Sequence, residues 1–107
     1  MRRIKYGLTA LTLTAIMGSS QALAHTPLCA CYDNGDGTVL CEGGFSDGSS
    51  ASGIEVSVLD ANGNALMEGS MNEYSEFEFD KPKGEYSVMF NAGPGHEVEI
   101  SSADIVE

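Results

Sequence analysis

Tyr74-Ser-Glu-Phe-Glu-Phe79, Lys81-Pro-Lys-Gly84 and Glu85-Tyr-Ser-Val-Met-Phe90 read in succession as strand, turn and strand. The first piece alternates apolar with polar residues and offers Tyr74, Phe77 and Phe79 to a core. The last places Tyr86, Val88 and Phe90 on one face, because successive side chains of a strand point to opposite sides. Between them, Pro and Gly punctuate the chain. Working outward, Ile54-Glu-Val-Ser-Val-Leu59 alternates in the same way, Asp60-Ala-Asn-Gly-Asn64 is a hairpin turn, and Ala65 to Met71 returns. Beyond Phe90, Asn91-Ala-Gly-Pro-Gly95 is a turn and His96-Glu-Val-Glu-Ile100 a last strand, with His96, Val98 and Ile100 on a common face.

Upstream, His25 to Tyr32 forms a short segment with an alternating end. Asp33-Asn-Gly-Asp-Gly37 carries the Asn-Gly and Asp-Gly signals of a hairpin, Thr38 to Phe45 reads as the return strand, and the Ser/Gly-rich run from Ser46 to Gly53 as a flexible loop. No stretch from residue 25 onward sustains a helical period. Six to seven short strands with turn signals every eight to twelve residues predict an all-β fold, a single small antiparallel β-sandwich over residues 25–107.

Residues 1–24 read differently. Arg2, Arg3 and Lys5 precede an apolar run from Leu8 to Met17, and Ala22-Leu-Ala24 is the small-residue pattern of a signal-peptidase site. The apolar run is shorter than the roughly 20 residues that cross a bilayer. The expectation is a cleaved signal peptide over 1–24, a periplasmic or secreted domain beginning at His25, and no membrane insertion after cleavage.

Cleavage there changes the charge balance. Lys81 and Lys83 remain against all sixteen acids, a formal net charge of −14, with no Arg. Nucleic acid is excluded as an expected partner, since phosphate binding rests on Lys and Arg. An anionic membrane surface would repel the chain, whereas metal cations and basic partners are attracted. Export places Cys29, Cys31 and Cys41 in an oxidising compartment, where one disulfide and one leftover thiol is the simplest count. Either Cys29 or Cys31 can pair with Cys41 across the hairpin, depending on register. The alternative is a thiolate metal site, although Cys-x-Cys is looser than the usual zinc spacing.

Gly53-Ile-Glu-Val-Ser-Val-Leu-Asp-Ala-Asn-Gly-Asn64, followed by Tyr74-Ser-Glu-Phe-Glu-Phe-Asp-Lys-Pro-Lys-Gly-Glu-Tyr-Ser-Val88, resembles the carboxypeptidase-regulatory-like, transthyretin-like β-sandwich family. The resemblance spans roughly residues 38–100 and implies a fold more than a function. The front end, His25-Thr-Pro-Leu-Cys-Ala-Cys-Tyr-Asp-Asn-Gly-Asp-Gly37, together with Gly93-Pro-Gly-His96, resembles small exported proteins that accompany bacterial cobalt and nickel uptake systems. That resemblance implies nickel or cobalt as cargo and a membrane metal transporter as partner.

Ligand chemistry also points to a metal, but favours copper. A terminal His25 would offer an α-amine and an imidazole, which together chelate a borderline divalent metal. Pro27 lacks the amide N–H that a backbone-wrapped metal requires. The second histidine of the chain, His96, follows the Gly-Pro-Gly loop and would complete a histidine brace, a set suited to Cu(II). Met67, Met71 and Met89 read as core filler. Asp33 to Thr38 lacks the spaced acids and distal Glu of a calcium loop. No Gly-x-Ser-x-Gly or Ser-His-Asp signature is present. The mature chain also lacks the Arg of the transthyretin-like hydrolase of purine breakdown.

The expected function is therefore non-enzymatic. An exported accessory protein captures nickel, cobalt or copper through His25 and His96 and hands it to a transporter or periplasmic target. The alternative is a disulfide-stapled sandwich that serves as a protein-interaction module without metal.

Overall fold

The computed structural model describes residues 25–107, and the expected signal peptide lies outside the described residues. Seven strands follow one another: β1 (Pro27–Asp33), β2 (Thr38–Phe45), β3 (Glu55–Asp60), β4 (Ala65–Ser70), β5 (Glu76–Asp80), β6 (Tyr86–Asn91) and β7 (Glu97–Ser101). A short 3-10 turn, Ser102–Asp104, comes after β7. The strands form two antiparallel sheets, one ordered β1-β2-β5 and the other β4-β3-β6-β7. The fold is the expected all-β sandwich.

Alternation decides which side chains meet between the sheets. From the smaller sheet come Cys31, Val39, Cys41 and Phe79, and from the larger Val56, Val58, Tyr86, Val88 and Phe90. Val39, Val56, Val58, Val88, Cys41 and Phe90 are completely buried. Each such Val or Phe contributes about 1.5–3 kcal/mol relative to exposure. Aromatic pairs close both ends of the core. Phe45 lies 6.3 Å from Phe90 between ring centroids, and Phe79 meets Tyr86 edge-on at 6.0 Å. Phe45 pairs with Pro27 and Phe90 with Val98, so the starts of β1 and β7 share the Phe45–Phe90 end of the sandwich. The finish of β1 and the chain after β7 share the other end, where Asp33 donates its N–H to the carbonyl of Val106 at 3.1 Å.

The register of the first hairpin resolves the cysteine question. Cys31 stands directly opposite Cys41, the two are joined by a disulfide, and Cys29, opposite Gly43, is left as a free thiol. With Cys31 and Cys41 consumed, the thiolate metal site considered for the three cysteines does not form. Cys29 faces the edge of the core, and burial pushes its thiol up to about 11.

Two other expectations need correction. Tyr74 is not a core residue, because it is 73% exposed. The strand alternation starts only at Glu76. Before it, Ser75 adopts φ 62° inside a turn in which the Asn72 side-chain oxygen accepts the N–H groups of Tyr74 and Glu76. The Ser/Gly loop is also tied down rather than free. Ala51 is fully buried, its N–H donates to the Ser75 hydroxyl at 2.9 Å, and the Ser75 carbonyl accepts the N–H of Gly43. A bulge between Val58 and Leu59 adds Leu66 as an unmatched residue on β4 and leaves it 48% exposed.

Candidate functional site

His25 immediately precedes the ladder of β1. The pairing of Pro27 with Phe45 is extended by Thr26, whose N–H donates to the Ser46 hydroxyl while its carbonyl accepts the N–H of Ser46. This carries His25 alongside the turn that leaves β2. In that turn Gly48 takes φ 86° and donates to the Phe45 carbonyl. One oxygen of Asp47 accepts both the N–H of Ser49 at 3.0 Å and its hydroxyl at 2.6 Å. The other oxygen, Oδ2, lies 2.9 Å from Nδ1 of His25. The Ser49 hydroxyl and amide hold the Asp47 carboxyl below its ordinary value, and the nearby His25 ring adds to the effect. The side chains of His25 and Asp47 are 63% and 30% exposed, so the pair is open to solvent.

His96 enters from the loop between β6 and β7. Gly93, at φ 114°, accepts the N–H of His96 on its carbonyl, and Ala92 donates to the carbonyl of His96. These bonds fix the residue at the start of β7. Its Nδ1 lies 3.2 Å from the carbonyl of Pro94. A carbonyl only accepts, so Nδ1 is the donor in this bond and Nε2 is directed away from it. Histidines that bind metal through one ring nitrogen commonly donate the other to a carbonyl in this way. Because β1 and β7 begin at the same end of the sandwich, His25 and His96 stand at one end, on the loops that flank the Phe45–Phe90 pair.

Among the described residues, no three His, Cys, Asp or Glu side chains converge closely enough to hold a metal. The His96 imidazole stands on another loop at the same end, and the donors that do meet are two side chains, the His25 imidazole and the Asp47 carboxylate, beside the main-chain nitrogen of His25. Cleavage after Ala24 would turn that nitrogen into an amine. Cys29 packs against the edge of the core and lines a shallow depression with Gly48 and Ser49.

Sequence reading singled out His25 and His96 but missed Asp47 and Ser49. The Asp47-Gly-Ser49 spacing carries the signal of a side-chain-stabilised turn, since Asp accepts from the backbone two residues on. The same geometry recurs at Asp33, Asp36 and Asp60. Nothing in the sequence distinguishes the one such turn that meets a histidine.

Positive charge is placed away from this end. Lys81 donates to Asp33 at 2.6 Å, across the finish of β1, and Lys83 lies in the adjoining turn. A surface depression lined by Asp60, Glu85, Tyr86, Glu99 and Asp104 is likewise at the far end of the sandwich. No helix of the described residues is long and apolar enough to cross a membrane. In comparisons with known proteins, no family model, no curated protein and no solved structure matches this chain.

Proposed function

We propose that this chain is an exported, non-enzymatic accessory protein that captures a divalent transition metal at the end of the sandwich bearing His25 and His96. It then passes the ion to a membrane transporter or a periplasmic target. The observation that carries the reading is the common placement of the two histidines of the chain on loops at one end of the sandwich, with the His96 ring held against the Pro94 carbonyl. Removal of residues 1–24 adds the α-amine of His25 as a chelating partner for its own imidazole. The sixteen acids, against two lysines after cleavage, raise the local concentration of cations and favour encounter with a basic partner. The motif resemblance to nickel and cobalt uptake accessories supports those ions as cargo, and the nitrogen-rich donors support copper. The Cys31–Cys41 disulfide suits the oxidising compartment that export implies.

The test is intact mass of the protein exported by its own leader, followed by calorimetric titration with Ni(II), Co(II) and Cu(II) beside His25→Ala. A mass beginning at His25 and stoichiometric binding lost in the variant support capture. Binding that His25→Ala leaves unchanged overturns it. The interaction-module reading would then stand on the exposed Leu28 and Tyr32 of the edge strand β1.

A further inference from the structure

The second oxygen of Asp47 has a directed position that the turn alone does not require. At Asp36 and Asp60, as at Asp47, one oxygen satisfies the residue two positions on. At Asp33 the remaining oxygen takes the ammonium of Lys81. At Asp47 the remaining oxygen takes a histidine nitrogen, and that nitrogen is Nδ1, the ring atom able to close a chelate with the α-amine of the same residue.

We propose that Asp47 is a metal ligand, so that the processed protein binds a divalent ion through the α-amine and Nδ1 of His25 and Oδ2 of Asp47. This rests on the capture function proposed above and names the donor set and the class of ion. Two donors at about 2.0–2.2 Å from one metal stand roughly 2.8–3.5 Å apart for angles between 90° and 109°. The observed 2.9 Å between Nδ1 and Oδ2 is one such edge. An ion bonding both atoms takes the place of a proton on Nδ1, and the exposed ring and carboxylate turn so that their lone pairs converge on it. Ser49 acts as the positioning residue. Its amide and hydroxyl clamp Oδ1 and so direct Oδ2 at the histidine, as hydrogen-bonded partners of ligating carboxylates do. The set is nitrogen and oxygen without sulfur, which suits Ni(II), Co(II) and Cu(II). Cu(I), which prefers thiolate and thioether ligands, is disfavoured. His96 stands on another loop at the same end and is not counted in this donor set.

The experiment uses the exported, processed protein in four forms: unmodified, Asp47→Asn, Ser49→Ala and His25→Ala. Each is titrated with NiCl2 by calorimetry and with CoCl2 by visible absorption, which reports the ligand field. Asp47→Asn keeps the shape and the bond from Ser49 while removing the anionic donor. The expected result is a fall in Ni(II) affinity of more than about tenfold, with a changed Co(II) spectrum, and a smaller fall for Ser49→Ala. If Asp47→Asn binds Ni(II) as tightly as the unmodified protein, with the same Co(II) spectrum, while His25→Ala loses binding, Asp47 is only an ion-pair partner. The capture function then survives without it. If the unmodified protein binds no better than His25→Ala, both the ligand assignment and the capture function fall. Thermal unfolding of all four proteins checks that the exposed substitutions leave the fold in place.

Discussion

The ring of Phe90 occupies the space that a side chain at Gly43 would need: a β-carbon there would stand 2.8 Å from Cε1 of Phe90. It would also come within 3.1 Å of Cε of Met71 and 3.3 Å of Cβ of Ala51. Phe90 and Ala51 are completely buried and Met71 nearly so, so there is little room to yield. Gly43→Ala is expected to destabilise the domain by about 1–3 kcal/mol through overpacking. For a domain of this size that is a fall in Tm of roughly 4–8 °C per kcal/mol, read by thermal unfolding followed by circular dichroism. An unchanged Tm would show that the two sheets separate more easily here than the packing implies.

The direct opposition of Cys31 and Cys41 predicts a single disulfide and an inert third thiol. Replacing both residues by Ala should cost about 2–4 kcal/mol, chiefly by releasing the unfolded chain. Peptide mapping of the oxidised protein should recover the Cys31–Cys41 link. Cys29, its thiol pushed up to about 11 by burial, should resist iodoacetamide at pH 8 until denaturant is added. Rapid alkylation of the native protein would contradict this placement.

Asp33 and Lys81 tie the first hairpin to the turn between β5 and β6 at 2.6 Å, and their pH dependence has a definite sign. The Lys81 side chain, with the N–H of Gly35, lowers the Asp33 carboxyl below 3.8. Its contribution is present above that ordinary value and lost as pH falls through the lower folded value. The Asp33 carboxylate raises Lys81 above 10.5, so that contribution is present below 10.5 and lost as pH rises through the higher folded value. Lys81→Met should therefore lower Tm by a constant amount across the middle of the range. The difference from the unmodified protein should shrink in strong acid and in strong base. A difference that persists undiminished at pH 2 would mean that the Lys81 contribution is packing rather than charge.

Ser75 holds a left-handed backbone, φ 62°, and its hydroxyl accepts the N–H of Ala51 and bonds the hydroxyl of Ser50. Ser75→Ala removes these bonds while keeping the strained backbone and should cost about 1–2 kcal/mol. Ser75→Gly loses the same bonds but relieves the backbone, and should cost less. Equal Tm values for the two variants would show that the backbone strain is not felt.

The strands were legible in the chain, because burial on one side imposes a period of two and Gly, Asn, Asp and Pro stop it at the turns. The ladder of Val56, Val58, Tyr86, Val88 and Phe90 was legible for that reason, and so was the hairpin that opposes a cysteine of β1 to Cys41. Chain order also supplied the export pattern before His25. Tertiary structure alone decided the rest. Which cysteine pairs depends on a register that composition does not encode. Tyr74 lost its place in the core to a turn organised by Asn72, whose hydrogen bonds outweigh the apolar pattern. The meeting of His25 with Asp47, twenty-two residues away, follows from the β1–β2 register that also opposes Cys31 to Cys41, while the sharing of one end by His25 and His96 arises from how the sheets stack. Local propensity acts over a few neighbours, whereas the two loops are brought together only when the Phe45–Phe90 contact closes the sandwich.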